Sequence, residues 1–154
     1  MRIRLFGLEF FDMAKTLTGL DTSAGMLEVF DRKTQQHSNV SSLNLNLEEG
    51  GALPSTYDLI LSSMAFHHLT SPVKILSQLK KALSPGGRIV IVDLEEEDGS
   101  FHPDPEAMGV KHFGFSRETI ASWAKENDLQ VEVRSIYEME KDGKSYKQFI
   151  ALFR

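Results

Sequence analysis

The sequence predicts an α/β domain built on a mainly parallel sheet that closes in an antiparallel hairpin. Three observations predict it. Strand-like and helix-like segments alternate along most of the 154 residues, and such alternation implies right-handed crossovers between parallel strands. Arg88 to Leu94, RIVIVDL, is an unbroken run rich in β-branched residues, the pattern of a strand buried on both faces. Two β-prone runs, 129–137 and 145–153, flank Lys141-Asp142-Gly143-Lys144, a tight-turn signal.

Taken in order, residues 8–15 place apolar side chains at helical spacing, so a short helix is expected there. Thr16 to Leu20 is a short strand. Asp21, Thr22 and Ser23 can each cap the helix that follows, 24–35, whose Met26, Leu27, Val29 and Phe30 mark a buried face. Val40 to Leu47 alternates polar with apolar, as a strand near a sheet edge does. Gly50, Gly51 and Pro54 make 48–55 a loop. Tyr57 to Met64 is a more apolar strand. Ser71 caps, and Pro72 opens, an amphipathic helix running to Leu83. Ser84-Pro85-Gly86-Gly87 reads as a sharp stop before the buried strand 88–94. The stretch 95–115 is acidic and then carries Gly, Pro and His. A helix over 116–127 precedes the hairpin. No repeat or linker is visible, so the expectation is one domain over 1–154.

Composition narrows the function classes. Lys plus Arg number 17 and Asp plus Glu 22, a net charge of −5. No basic run is present, which argues against nucleic-acid partners. The chain has no cysteine, which excludes disulfides, thiolate chemistry and cysteine-based zinc sites and suits a reducing compartment. No apolar run has the length of a membrane span. The N-terminal MRIRLFGLEFF is interrupted by Glu9 and reads as no signal peptide. A cytoplasmic location is the expectation.

Four segments carry candidate chemistry. Asp21 stands where a strand meets a helix, either as a ligand for sugar hydroxyls or as a helix cap, and one Asp can do both. His67 and His68 follow the strand 57–64. Adjacent histidines can bind metal or move protons, but adjacent side chains usually point apart and no acid pair completes a ligand set, so no metal is expected. The turn at 84–87 has no ligand role. Phe101, His102, His112, Phe113 and Phe115 lie beyond the carboxyl end of a buried strand, where a loop forms either a lid or substrate wall or a plain crossover. Glu95 to Asp98 reads as a solvated acidic face.

Together the segments TGLDTSAGMLEVF (18–30), YDLILSSMAFHHL (57–69) and LKKALSPGGRIVIVD (79–93), with the closing helix and hairpin, resemble class I S-adenosylmethionine-dependent methyltransferases. The nearest likeness is to the ubiquinone and menaquinone biosynthesis branch. The resemblance runs from about residue 15 to 154 and implies a Rossmann-like fold, S-adenosylmethionine as cofactor and a small organic methyl acceptor. Residue by residue it implies that Asp21 holds the ribose hydroxyls and that Thr22, Ser23 and Met26 lie beside the adenosine. Asn46 would take the position, more usually Asp, that reads the adenine edge. Ser63 and Met64 would flank the methionine end. His67 would face the substrate, with His102, His112, Phe113 and Phe115 as the opposite wall. No catalytic base is required, because alignment with an already activated methyl can suffice.

One departure stands out. The family's first strand ends in an acid and a G-x-G-x-G loop, whereas here only Gly7 occupies that region. Met1 to Phe6, MRIRLF, carries Arg2 and Arg4 and suits a central strand poorly. The first strand and its loop are therefore expected to be missing or replaced, in a chain that is a fragment, an alternative start product or a decayed family member. Two other readings stay open: an inactive methyltransferase-like protein that binds a partner, and a nicotinamide-dependent oxidoreductase, since Asp21 suits both cofactors. The latter lacks its G-x-G-x-x-G.

Overall fold

The computed structural model describes residues 13–154. The expected replacement of a first strand, and all but the last residues of the helix expected over 8–15, lie outside the described residues. Met13 to Lys15 are not helical. The chain divides into two compact units, Met1–Ala52 and Leu53–Arg154.

In the first unit, β1 (Leu17–Asp21) and β2 (Val40–Asn44) pair in parallel, with Asp21 opposite Asn44. The helix α1 (Ala24–Thr34) connects them and buries Leu27, Phe30 and Thr34. Phe30 packs so closely on β1 that a Cβ at Gly19 would lie 2.6 Å from its ring. Of the three possible caps, Ser23 is the one used: its Oγ accepts from Met26 N at 3.3 Å. β2 stops three residues short of Leu47. Asn44 turns its amide to Thr22 O, and Asn46 Oδ1 accepts from Glu48 N, so the chain leaves the ladder for a turn.

The second unit holds a four-stranded sheet in the order β3 (Tyr57–Ser63), β4 (Leu83–Leu94), β6 (Lys144–Phe153), β5 (Val131–Lys141). β3 and β4 are parallel, and β6 runs antiparallel to both β4 and β5. Among the described residues the ladders are thus mixed, with the antiparallel ones made by the hairpin. Its turn is the expected one: Asp142 and Gly143 both take the left-handed conformation (φ 53° and 76°), as a two-residue hairpin needs. β4 is central and, at its carboxyl end, covered on both faces: Ile91, Val92, Asp93 and Leu94 are consecutive and buried. Helices α2 (Pro72–Lys81) and α3 (Arg117–Glu126) pack on the sheet through Ile75, Leu76, Leu79, Ile120, Trp123 and Ala124. Ser116 caps α3 as expected, while the Ser71 side chain makes no capping bond to α2.

The segment 84–87 is not the stop that Pro85 and two glycines suggest. β4 begins at Leu83, and the pairing jumps from Tyr57↔Leu83 to Leu59↔Arg88. The residues between bulge out of the ladder, held by Ser84 Oγ on Tyr57 O at 3.3 Å and on the Asp58 carboxylate.

Candidate functional site

Both parallel pairs end in polar loops at their carboxyl edges, where open α/β sheets bind ligands. At the end of β1, Asp21 Oδ1 accepts from Ser23 N at 2.8 Å, a local turn that orients the carboxylate. Among the described residues no bond engages Oδ2. Thr22 O is held by Asn44 Nδ2 at 3.3 Å. The Asn46 side-chain oxygen is taken up by the Glu48 amide, which leaves its Nδ2 as a donor. Asp21, Thr22, Ser23, Met26 and Asn46 all belong to this first unit. Asn44, which sequence reasoning passed over, ties the two strand ends together.

At the end of β3, Ser63 pairs with Val92, and the next residue, Met64, has φ 53°. A non-glycine residue in that region costs on the order of 1–3 kcal/mol and is concentrated at functional sites. Met64 N is held by Val92 O at 2.8 Å, and Gln148 Nε2 donates to its sulfur. The chain then makes a 3₁₀ turn over Phe66–His68.

His67 is 1% exposed and Asp93 fully buried. His67 Nδ1 donates to Asp93 Oδ1 at 2.7 Å, and His67 N donates to Asp93 Oδ2 at 3.2 Å. Leu94 N donates to Asp93 Oδ1 at 2.8 Å. Since the carboxylate and the carbonyl only accept, the Nδ1 proton of His67 is fixed by Asp93 and that of His68 by Gly109 O at 3.1 Å. Asp93 is the chief residue that sequence reasoning missed. The signal was present: a lone carboxylate near the end of an otherwise apolar run.

The tight turn does not point His67 and His68 apart. Their ring centroids are 4.2 Å from each other, and His102 comes within 5.0 Å of His67. Three ties to the hairpin fix the segment before His102: Lys144 Nζ on Asp98 at 2.6 Å, Tyr146 Oη with Ser100 Oγ at 2.7 Å, and Lys141 Nζ on Phe101 O. Burial, then the neighbouring His67 and His68, pushes the His102 imidazole below its ordinary value, which favours its neutral form.

The end of the stretch 101–115 is hydrogen-bonded to the turn after β3 and to β4. Lys111 N and His112 N both donate to His67 O, His112 Nε2 donates to Leu69 O at 2.9 Å, and Phe115 N donates to Leu94 O. Gly114 (φ 73°) passes so close to β4 that a Cβ would sit 2.1 Å from Glu95 O. His112, Phe113 and Phe115 line an open groove of about 510 Å³ together with Thr70, Lys111 and Trp123. Phe115 packs edge-on against Trp123. The expected substrate wall therefore divides: His112, Phe113 and Phe115 share this groove, whereas His67 and His102 lie in the buried cluster.

Comparison with known proteins agrees with this architecture. A family model described as a methyltransferase domain matches residues 5–91. An uncharacterised methyltransferase of Schizosaccharomyces pombe is 30% identical over 141 residues, covering 81% of this chain and 49% of that protein. The demethylmenaquinone methyltransferase of Bacillus licheniformis is 23% identical over 99 residues, covering 64% of this chain and 39% of the relative. The chain thus spans half or less of these curated relatives. Among solved structures, the N-methyltransferase NodS of Bradyrhizobium japonicum, in complex with S-adenosyl-L-homocysteine, superposes with a TM-score of 0.74 at 19% identity, covering 97% of this chain and 71% of that one. A SAM-dependent methyltransferase of Aquifex aeolicus gives 0.63 at 21% identity, covering 89% and 68%. At these identities the structures speak for the fold alone, a Rossmann-like α/β architecture with a mixed sheet and a C-terminal antiparallel hairpin. With the methyltransferase-domain match covering more than half of it, the chain belongs to the class I S-adenosylmethionine-dependent methyltransferase family.

Proposed function

We propose that this chain transfers a methyl group from S-adenosylmethionine to a small organic acceptor. The observation that carries the reading is Asp21: a carboxylate at the end of a parallel strand, one oxygen fixed by the following turn and the other unengaged among the described residues. That arrangement fits a cofactor that presents vicinal ribose hydroxyls. When bound, S-adenosylmethionine supplies a methyl group already activated by its sulfonium. Asp21 holds the ribose, Asn46 offers its amide donor to the adenine edge, and Thr22, Ser23 and Met26 flank the adenosine. In the second unit, the family resemblance assigns Ser63 and Met64, the latter in a strained turn, to the methionine end. The groove beside His112, Phe113 and Phe115 receives the acceptor, with apolar rings and Lys111 available to orient it. Holding an acceptor in line is the chain's main task, and it calls for no general base.

Calorimetric titration with S-adenosylmethionine, S-adenosylhomocysteine and NAD tests this reading. Saturable one-to-one binding of the first two, with none of NAD, is the expected result. Absence of S-adenosylmethionine binding to the folded chain would contradict it, and NAD binding would favour the oxidoreductase alternative.

A further inference from the structure

We infer that His67, His68 and His102 form a binding site for a divalent first-row transition ion of zinc type. One ring nitrogen from each lies within 4.8 Å of those of the other two. The three come from two places in the second unit. His67 and His68 stand on the 3₁₀ turn after β3, and His102 is on the loop after β4.

Beyond proximity, the hydrogen bonds around the cluster resemble those that support a metal ligand. Ligating histidines donate their other ring N–H to a carboxylate or a carbonyl, which fixes the tautomer and aims the lone pair. His67 does so to Asp93, and His68 does so to Gly109 O. In both, Nε2 is left as the ligating atom. His102 supplies a second, independent observation: it is 8% exposed, and its Nδ1 is buried without a hydrogen-bond partner. Buried polar atoms are rarely left so, and coordination to an ion is one way such an atom is satisfied. Imidazole nitrogens suit zinc, copper, iron or nickel better than calcium or magnesium, which prefer oxygen. In a tetrahedral zinc site the nitrogens stand about 3.3 Å apart, from Zn–N of about 2.0–2.1 Å, so no pair must draw together by more than about 1.5 Å. Three imidazoles leave a fourth position open.

The site does not depend on the methyl-transfer reading, because metal binding is measured directly. The 154-residue chain is stripped with a chelator, then titrated with Zn²⁺ by calorimetry and with Co²⁺ by visible absorption. The expected result is one equivalent bound and the intense d–d bands of tetrahedral Co²⁺. H102F should weaken binding by about 100-fold or more, and D93N by about 10–100-fold through loss of the supporting carboxylate. H37Q, outside the cluster, should bind as the parent chain does. Circular dichroism without metal checks that each variant is folded, and H68Q, at a half-buried position, substitutes if H102F is not. Less than stoichiometric binding by the parent, or affinity unchanged in both H102F and H68Q, would overturn the inference.

Discussion

Replacing Asp93 by asparagine keeps the shape of a fully buried side chain and removes its charge. Asp93 accepts three bonds: His67 Nδ1 at 2.7 Å and Leu94 N at 2.8 Å on Oδ1, and His67 N at 3.2 Å on Oδ2. The best placement of the amide keeps its oxygen at the Oδ1 position and turns its NH₂ toward His67 N–H. Two donors then face each other in the interior, and the buried amide of His67 loses its partner, at a cost of about 1–3 kcal/mol. The two surviving bonds lose charge assistance, and a bond to a charged group is worth about 1 kcal/mol more than a neutral one. The sum is about 3–5 kcal/mol, which for a chain of this length lowers the melting temperature by about 6–20 °C. Urea unfolding and thermal melts of both proteins measure it, and the imidazole Nδ1 proton of His67 reports on the bond by NMR. A loss under about 0.5 kcal/mol, typical of an unremarkable surface substitution, would refute the reasoning.

Two further predictions concern the loop after β4. Gly109 and Gly114 share a left-handed φ (69° and 73°), but a Cβ at Gly109 meets nothing within 4 Å, whereas one at Gly114 strikes Glu95 O. G109A should therefore cost only about 1–2 kcal/mol of conformational strain, and G114A distinctly more; equal losses in urea unfolding would show that 114 is not pressed against β4. Asp98 is held at about 2, below the usual 3.8, first by Lys144 Nζ and then by Ser100. Because the folded-state value is depressed, its contribution to stability is present above about 3.8 and is lost as pH falls through about 2. In K144M the Asp98 carboxyl should titrate by NMR closer to 3.8, and an unchanged value would remove Lys144 as the cause.

The legible parts of the fold were those written in short-range chemistry. Asp142-Gly143 announced the hairpin because its turn needs two left-handed residues, and Ser116 announced α3 because an N-cap needs a side-chain acceptor. RIVIVDL announced the central strand because only burial on both faces tolerates such a run. The failures came where tertiary contacts override local signals. Pro85-Gly86-Gly87 reads as a break, yet β3 still pairs with Leu83 and the turn becomes a bulge. Asn44 and Asn46 shorten β2 through side-chain bonds that alternation cannot reveal. In the candidate site, Asp21 was visible from its place between strand and helix. The histidine cluster was not, because the 3₁₀ turn that brings His67 and His68 together is not evident from the pattern, and His102 arrives from a distant loop.

The most direct test of the account compares S-adenosylmethionine affinity in the parent chain and D21N by calorimetry. Asparagine can still accept from Ser23 N through its oxygen, and Ser23 rather than Asp21 caps α1, so the fold is undisturbed and the melting temperature stays unchanged. What D21N removes is the charged Oδ2 acceptor offered to the ribose hydroxyls, since the amide NH₂ takes its place. A hydrogen bond to a charged group is worth about 1.5–3 kcal/mol, which predicts roughly 10- to 150-fold weaker binding. Equal affinities in the two proteins would contradict the assignment of Asp21 to the cofactor.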